Sequence, residues 1–121
     1  MGQPIRSHRD LIVWQRAVQF AVRVYQVTDG YPKREVYGLT DQTRRSVVSI
    51  AANIAEGHGR RSDGAFANYL SIAMGSTAEL DTHLQIALEI GYLSEDDHQE
   101  LVAELTEITK MLHGLYRTVR Q

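Results

Sequence analysis

The chain has 121 residues, 43% of them hydrophobic and 23% charged, with a formal net charge of −2; that is enough for one domain with a core of its own and too little for two. It contains no cysteine, which excludes a disulfide framework and a thiolate metal site. No apolar run of secretory or membrane-spanning length follows the opening MGQPIRSHRD, because Arg16 and Arg23 interrupt the first apolar segment, so a soluble cytoplasmic protein with no membrane association is expected.

Ser7 and Asp10 have capping-box spacing, which predicts a first helix over about residues 8–28. Leu11, Trp14, Val18, Ala21 and Tyr25 form one apolar stripe on it, and Val13, Ala17, Phe20, Val24 and Val27 form a second. One bundle core rarely needs so wide an apolar face. Val13, Phe20 and Val24 are therefore candidates for contact with another copy of the chain, the competing reading being that both stripes are ordinary core.

Asp29-Gly30 and Pro32 end this helix, and a second is predicted over about residues 39–57, closed by Gly57 and Gly59. Its middle, Val47 to Ala55, carries only Ser49 and Asn53 as polar side chains. A helix apolar nearly all round is buried on most sides, so this segment is expected to be enclosed by more than one subunit, with Val48 and Ala52 as further contact candidates. Gln42, Ser46, Ser49, Asn53, Glu56 and Arg60 recur at steps of three and four and form one polar line. Arg45, Ser49, Asn53 and Glu56, with Glu79 as partner for Arg45, are expected to form a structural hydrogen-bond or ion-pair network rather than a ligand site.

A third helix is predicted over about residues 63–91, capped by Ser62 or Asp63 and closed by Gly91, with Phe66, Leu70, Ala73, Thr77, Leu80, Leu84 and Ala87 at heptad spacing. Small residues from Ala73 to Ala78 would let it approach the second helix closely. A fourth, opened by Ser94 and Asp97, runs over about residues 95–119 with a seam of Leu101, Leu105, Ile108, Leu112, Leu115 and Val119. β-branched residues nowhere alternate as a strand requires. Short connections between long helices predict an all-α fold, an antiparallel up-down-up-down four-helix bundle.

Charge is divided along the chain. Up to Arg61 there are ten Lys/Arg against five Asp/Glu, a balance of +5, and from Ser62 onward three against ten, a balance of −7. The predicted topology collects Arg6, Arg9, Arg60, Arg61, Arg117 and Arg120 at one end, where a nucleic acid could be held through its phosphates. It collects Asp29, Glu35, Asp41, Glu89, Glu95, Asp96 and Asp97 at the other.

Catalysis finds little support. A di-iron bundle needs paired Glu-x-x-His units, and the chain offers one such spacing, Glu95 to His98, in an acidic first turn that capping explains. Gly57-x-Gly59 lacks the lysine of a phosphate loop. Ser46, Ser49 and Ser76 have no base visible in the sequence. No catalytic residue, metal or cofactor is assigned.

Leu11-x-Val-Trp14-Gln, Tyr37-Gly-Leu39, Gln42, Arg45, Ser49, Asn53-Ile-Ala-Glu56-Gly57, Ala73, Ser76, Glu79-Leu80 and Gly91-Tyr92-Leu93 together resemble the 23S rRNA intervening-sequence family, over roughly Asp10 to Val119. The resemblance implies a small bacterial four-helix bundle, a ring-shaped homopentamer, and, by similarity to accessory proteins of diversity-generating retroelements, binding to RNA or DNA and a partner such as a reverse transcriptase. A structural or protein-interaction module without nucleic-acid binding is the alternative.

Overall fold

A computed structural model describes residues 4–121. Four helices, α1 (Ile12–Thr28), α2 (Leu39–Gly59), α3 (Asp63–Glu89) and α4 (Glu95–Val119), form a closed square in which each packs on its two neighbours and, among the described residues, none on its diagonal. Cross-helix contacts fix the directions. Arg16 reaches Glu104 whereas Arg23 reaches Asp97 and Glu100; Ser46 meets His83 whereas Ser49 meets Ser76. Numbers rise on one helix as they fall on the next, so neighbours run antiparallel, as the short connections require.

The first helix starts later than the capping box predicts. Ser7 and Asp10 do form the reciprocal box, with Asp10 accepting from the Ser7 and Arg6 amides at 3.2 and 2.8 Å, but the box closes one 3-10 turn over His8–Asp10. Leu11 is extended (φ −78°, ψ 122°), and α1 begins at Ile12 without a side-chain cap. The turn is held to α1 by His8, whose ring meets that of Trp14 edge-on at 4.9 Å between centroids, and by the Arg9 guanidinium 5.3 Å from the Trp14 ring.

The other helix ends are satisfied from nearby. Gly38, before α2, offers no side chain, so Glu35 supplies the cap: one carboxylate oxygen accepts from the Leu39 amide at 3.1 Å and the other from the Tyr92 hydroxyl at 2.8 Å. The Leu39 amide, then the Tyr92 hydroxyl, hold Glu35 below the usual carboxylate range. Arg44 closes α1, donating to Thr28 Oγ1, the Tyr25 carbonyl and Asp29, where the helix dipole favours a cation. Ser62 and Ser94 cap α3 and α4. Gly91, at φ +86°, ends α3 in a Schellman turn in which the Tyr92 amide donates to Ala87 and the Gly91 amide to Leu88, a conformation that favours glycine.

The core is aliphatic. Val24, Val47, Ile50, Ile54, Leu70, Leu80, Leu84, Ile108 and Leu112 are fully enclosed, each contributing roughly 1.5–3 kcal/mol by leaving water. The buried stripe of α1 is Val13, Ala17, Phe20 and Val24, so Val13, Phe20 and Val24 face the chain's own interior and are not available to a second copy. Val47, Ile50 and Ile54 are likewise enclosed by their own chain, which corrects the expectation that the middle of α2 needs another subunit to cover it throughout. Gly57 is also reassigned. It lies buried inside α2, and a Cβ there would sit 2.5 Å from Tyr69 Cβ, so it is a close-approach position, and the helix continues past it to Gly59.

Candidate assembly surface and arginine-rich end

The other stripe of α1 is the one left uncovered. Trp14, Val18, Ala21, Val22 and Tyr25 form, with Val48, Ala51 and Ala52 of α2, a groove of about 440 Å³ lined by no charged side chain. Val22 is 53% exposed and Val48 44%. Of the sequence-proposed contact residues, Val48 and Ala52 lie at this surface. The wide apolar face legible in α1 is thus divided between core and surface, and the surface half is the stripe opposite to the one singled out. Exposed large hydrophobic side chains also occur on α3, at Ile72 and Ile86, but among the described residues none lies on α4. The outer face of α4 is charged instead, and Glu104, Asp97 and Glu100 bind Arg16 and Arg23 of α1. Part of the charge split between the two halves of the chain is therefore closed within one subunit.

The polar line of α2 faces α3, its most extensive packing partner, but it breaks into three separate pieces. In the middle piece, Ser49 and Ser76 hydroxyls lie 2.8 Å apart, and the Asn53 amide donates to the Ser49 carbonyl and hydroxyl. At one end, Glu56 accepts from Arg60 at 3.0 Å and from the Tyr69 hydroxyl at 3.1 Å, and these bonds, Arg60 first, lower its pKa. At the other end, Ser46 Oγ is 2.7 Å from the Gln42 carbonyl, 3.0 Å from His83 Nδ1 and 3.3 Å from Glu79.

Arg45 does not meet Glu79. Its Nε donates to Asp41, one turn earlier on its own helix, at 2.9 Å, because position 45 points outward while Ser46 points at α3. The sequence reading missed His83. The signal for it was its four-residue step from Glu79, which places both on the side of α3 that reaches Ser46. Ser46 and His83 are buried, so a serine–histidine pair exists without access for a substrate. Among the described residues, no three His, Asp or Glu side chains converge as metal ligands, and no helix is long and apolar enough to cross a membrane. His98 Nε2 is buried without a hydrogen-bond partner among the described residues and belongs to no such cluster.

The six arginines placed at one end by the topology are in different states. Arg9 and Arg120 lie over Trp14 and Tyr116 at 5.3 and 5.4 Å, and Arg60 is held by Glu56 and Tyr69. Arg6, Arg61 and Arg117 are exposed, with no acidic partner at ion-pair distance among the described residues. Arg61 follows α2 at φ +60°, a left-handed conformation that glycine adopts more readily.

Comparison with known proteins places this geometry in a family. A solved structure of similar fold is the crystal structure, at 1.70 Å resolution, of a protein of unknown function from the S23 ribosomal protein family of Bacteroides thetaiotaomicron VPI-5482; it is 26% identical, with a TM-score of 0.81, over 88% of this chain and 96% of that one. Among curated proteins nothing matches. The sequence model of the 23S rRNA-intervening sequence protein family matches residues 9–114, nearly the whole bundle, and the chain belongs to that family.

Proposed function

We propose that the protein is a non-enzymatic scaffold that works as an assembly of identical copies, a ring-shaped homopentamer, in the cytoplasm. The observation that carries self-association is the charge-free groove between α1 and α2, with Val22 and Val48 about half exposed, since exposed apolar surface gathered in one place marks an interaction site. The pentamer rests on the family resemblance. Among the described residues α4 exposes no large apolar side chain, which supports an arrangement with α4 outermost.

The arginine-rich end supports a second property, binding of nucleic acid by that assembly. Arg61 favours it: a long cation held in a left-handed conformation is disfavoured for folding, and it is exposed with no acidic partner at ion-pair distance among the described residues. The family's description refers to 23S rRNA, so RNA is the first nucleic acid to try. Repetition around a ring would present several such ends together and raise avidity.

Light scattering with and without a single-stranded RNA tests both properties. The expected mass without RNA is a multiple of 13.7 kDa. Added RNA should raise it at about 50 mM salt and do so far less at about 200 mM, as displaced counterions require. An assembly indifferent to RNA at both salt concentrations would leave a structural or protein-interaction module.

A further inference from the structure

Two exposed apolar surfaces among the described residues differ in shape. The one between α1 and α2 is a groove, running from Trp14 to Tyr25 over about 16 Å at the α-helical rise, and Arg45 lies in the surface concavity that continues it past Tyr25 and Val48. The other is a ridge. On α3 and its C-cap residue, exposed positions recur at steps of three and four, at Asn68, Ile72, Gly75, Glu79, Thr82, Ile86 and Ile90, which lines them up on one face, away from the core seam of Leu70, Leu80 and Leu84. Its three isoleucines are each about half exposed, at 46%, 44% and 52%. A helix with apolar side chains on both faces is normally covered on both, and none of the described residues covers the outer one.

We propose that the outer ridge of α3 docks into the α1/α2 groove of the next copy, with Glu79 beside that copy's Arg45. This deepens, and rests on, the self-assembly reading above. Glu79 is the only charged residue on the ridge and stands at its midpoint, so either arm, from Glu79 to Asn68 or from Glu79 to Ile90, spans about 16 Å, the length of the groove. The arm ending at Ile90 carries two of the isoleucines and is the more apolar. Arg45 is exposed and, among the described residues, is tied only to Asp41 on its own helix. Glu79 is exposed as well; in its own chain it stands 3.3 Å from the Ser46 hydroxyl and 4.0 Å from His83, at the edge of the ridge nearest α2, with no arginine or lysine at ion-pair distance among the described residues. Charge also argues against the ridge pairing with itself. Antiparallel ridge-to-ridge packing would set the two copies' Glu79 carboxylates against each other, whereas ridge to groove sets Glu79 against a cation. Because the two surfaces are different and lie on different sides of the bundle, each copy keeps one free surface of each kind until a ring closes.

Two double variants of the full chain test the pairing. Val22→Asp/Val48→Asp spoils the groove and Ile72→Asp/Ile86→Asp spoils both arms of the ridge, and all four side chains are exposed, so both variants should keep the helical circular dichroism of the parent. Each alone is expected to sediment as a monomer. Mixed in equal amounts they are expected to form a heterodimer of twice 13.7 kDa and nothing larger, because only one intact groove and one intact ridge remain to meet. A mixture that stays monomeric while the parent assembles overturns this pairing and leaves self-assembly standing, as does a ridge variant that assembles like the parent. A monomeric parent overturns both. Arg45→Glu should weaken assembly and Arg45→Glu/Glu79→Arg should restore it; no recovery overturns the charge pairing.

Discussion

Gly57 of α2 lies so close to Tyr69 of α3 that a single added carbon would stand 2.5 Å from Tyr69 Cβ and 3.2 Å from Phe66 Cδ1. This contact sets the separation of the two most tightly packed helices. Both neighbours belong to a rigid interface rather than to flexible tips, so neither can withdraw cheaply. Gly57→Ala should destabilise the protein by about 1–2 kcal/mol, overpacking outweighing the ~1 kcal/mol that alanine adds to a helix. Gly114→Ala, with nothing within 4 Å of the added carbon, should stabilise it by about 1 kcal/mol. Urea denaturation of both variants checks the opposite signs.

Arg61 should be removable with a gain in stability. Its φ of +60° suits glycine, and Arg61→Gly is expected to raise stability by about 0.5–1 kcal/mol. The same change should weaken RNA binding and flatten its salt dependence by about one counterion per subunit. Thermal melts and titrations with a fluorescent RNA check the two effects on one sample. Arg60→Glu is a poorer probe, because it would also break the contacts to Glu56 and Tyr69.

Tyr31 is buried with a hydroxyl that has no partner among the described residues, and burial pushes its pKa up from 10.0 to about 12. The folded state thus prefers the neutral phenol. Below pH 10.0 the phenol is neutral folded or unfolded and sets no pH dependence; stability then falls as pH rises from 10.0 through about 12. Tyr31→Phe should stabilise by about 1 kcal/mol near neutrality, since an unsatisfied buried hydroxyl is costly. It should also flatten the fall in stability across that alkaline window, measured by denaturant titration at increasing pH.

Acid should act through Glu35 and Glu56. Both carboxylates are held below their ordinary value of 4.5, Glu35 by the Leu39 amide and then Tyr92, Glu56 by Arg60 and then Tyr69. Stability from a lowered pKa is complete above 4.5 and is lost as pH falls through the lower folded values. Glu35→Gln should lower the denaturation midpoint at neutral pH and reduce the difference between neutral and acid midpoints. Loss of the neutral midpoint with the full acid slope retained would show that Glu35 is not the titrating group.

Helix type and number were legible because apolar spacing and the Ser62, Ser94 and Gly91 signals act locally. The start of α1 was not, because the Ser7–Asp10 box has the same spacing whether it opens a helix or closes one 3-10 turn; the extended Leu11 decides. Which stripe of α1 is core could not be read either. Val13 and Val18 are equally apolar, and only the positions of α2 and α4 distinguish them. Arg45 and Ser46 are adjacent in sequence and point in different directions, so the expected Arg45–Glu79 pair within one chain became a Ser46–His83–Glu79 contact. Gly57 looked like a helix stop because its near neighbour, Tyr69, lies on another helix.

The molecular mass of the unmodified chain in solution tests the central claim most directly. Sedimentation equilibrium at micromolar concentration should give five times the 13.7 kDa of one chain. A mass of 13.7 kDa that does not rise with concentration would mean that the groove between α1 and α2 remains open to water, contradicting the account.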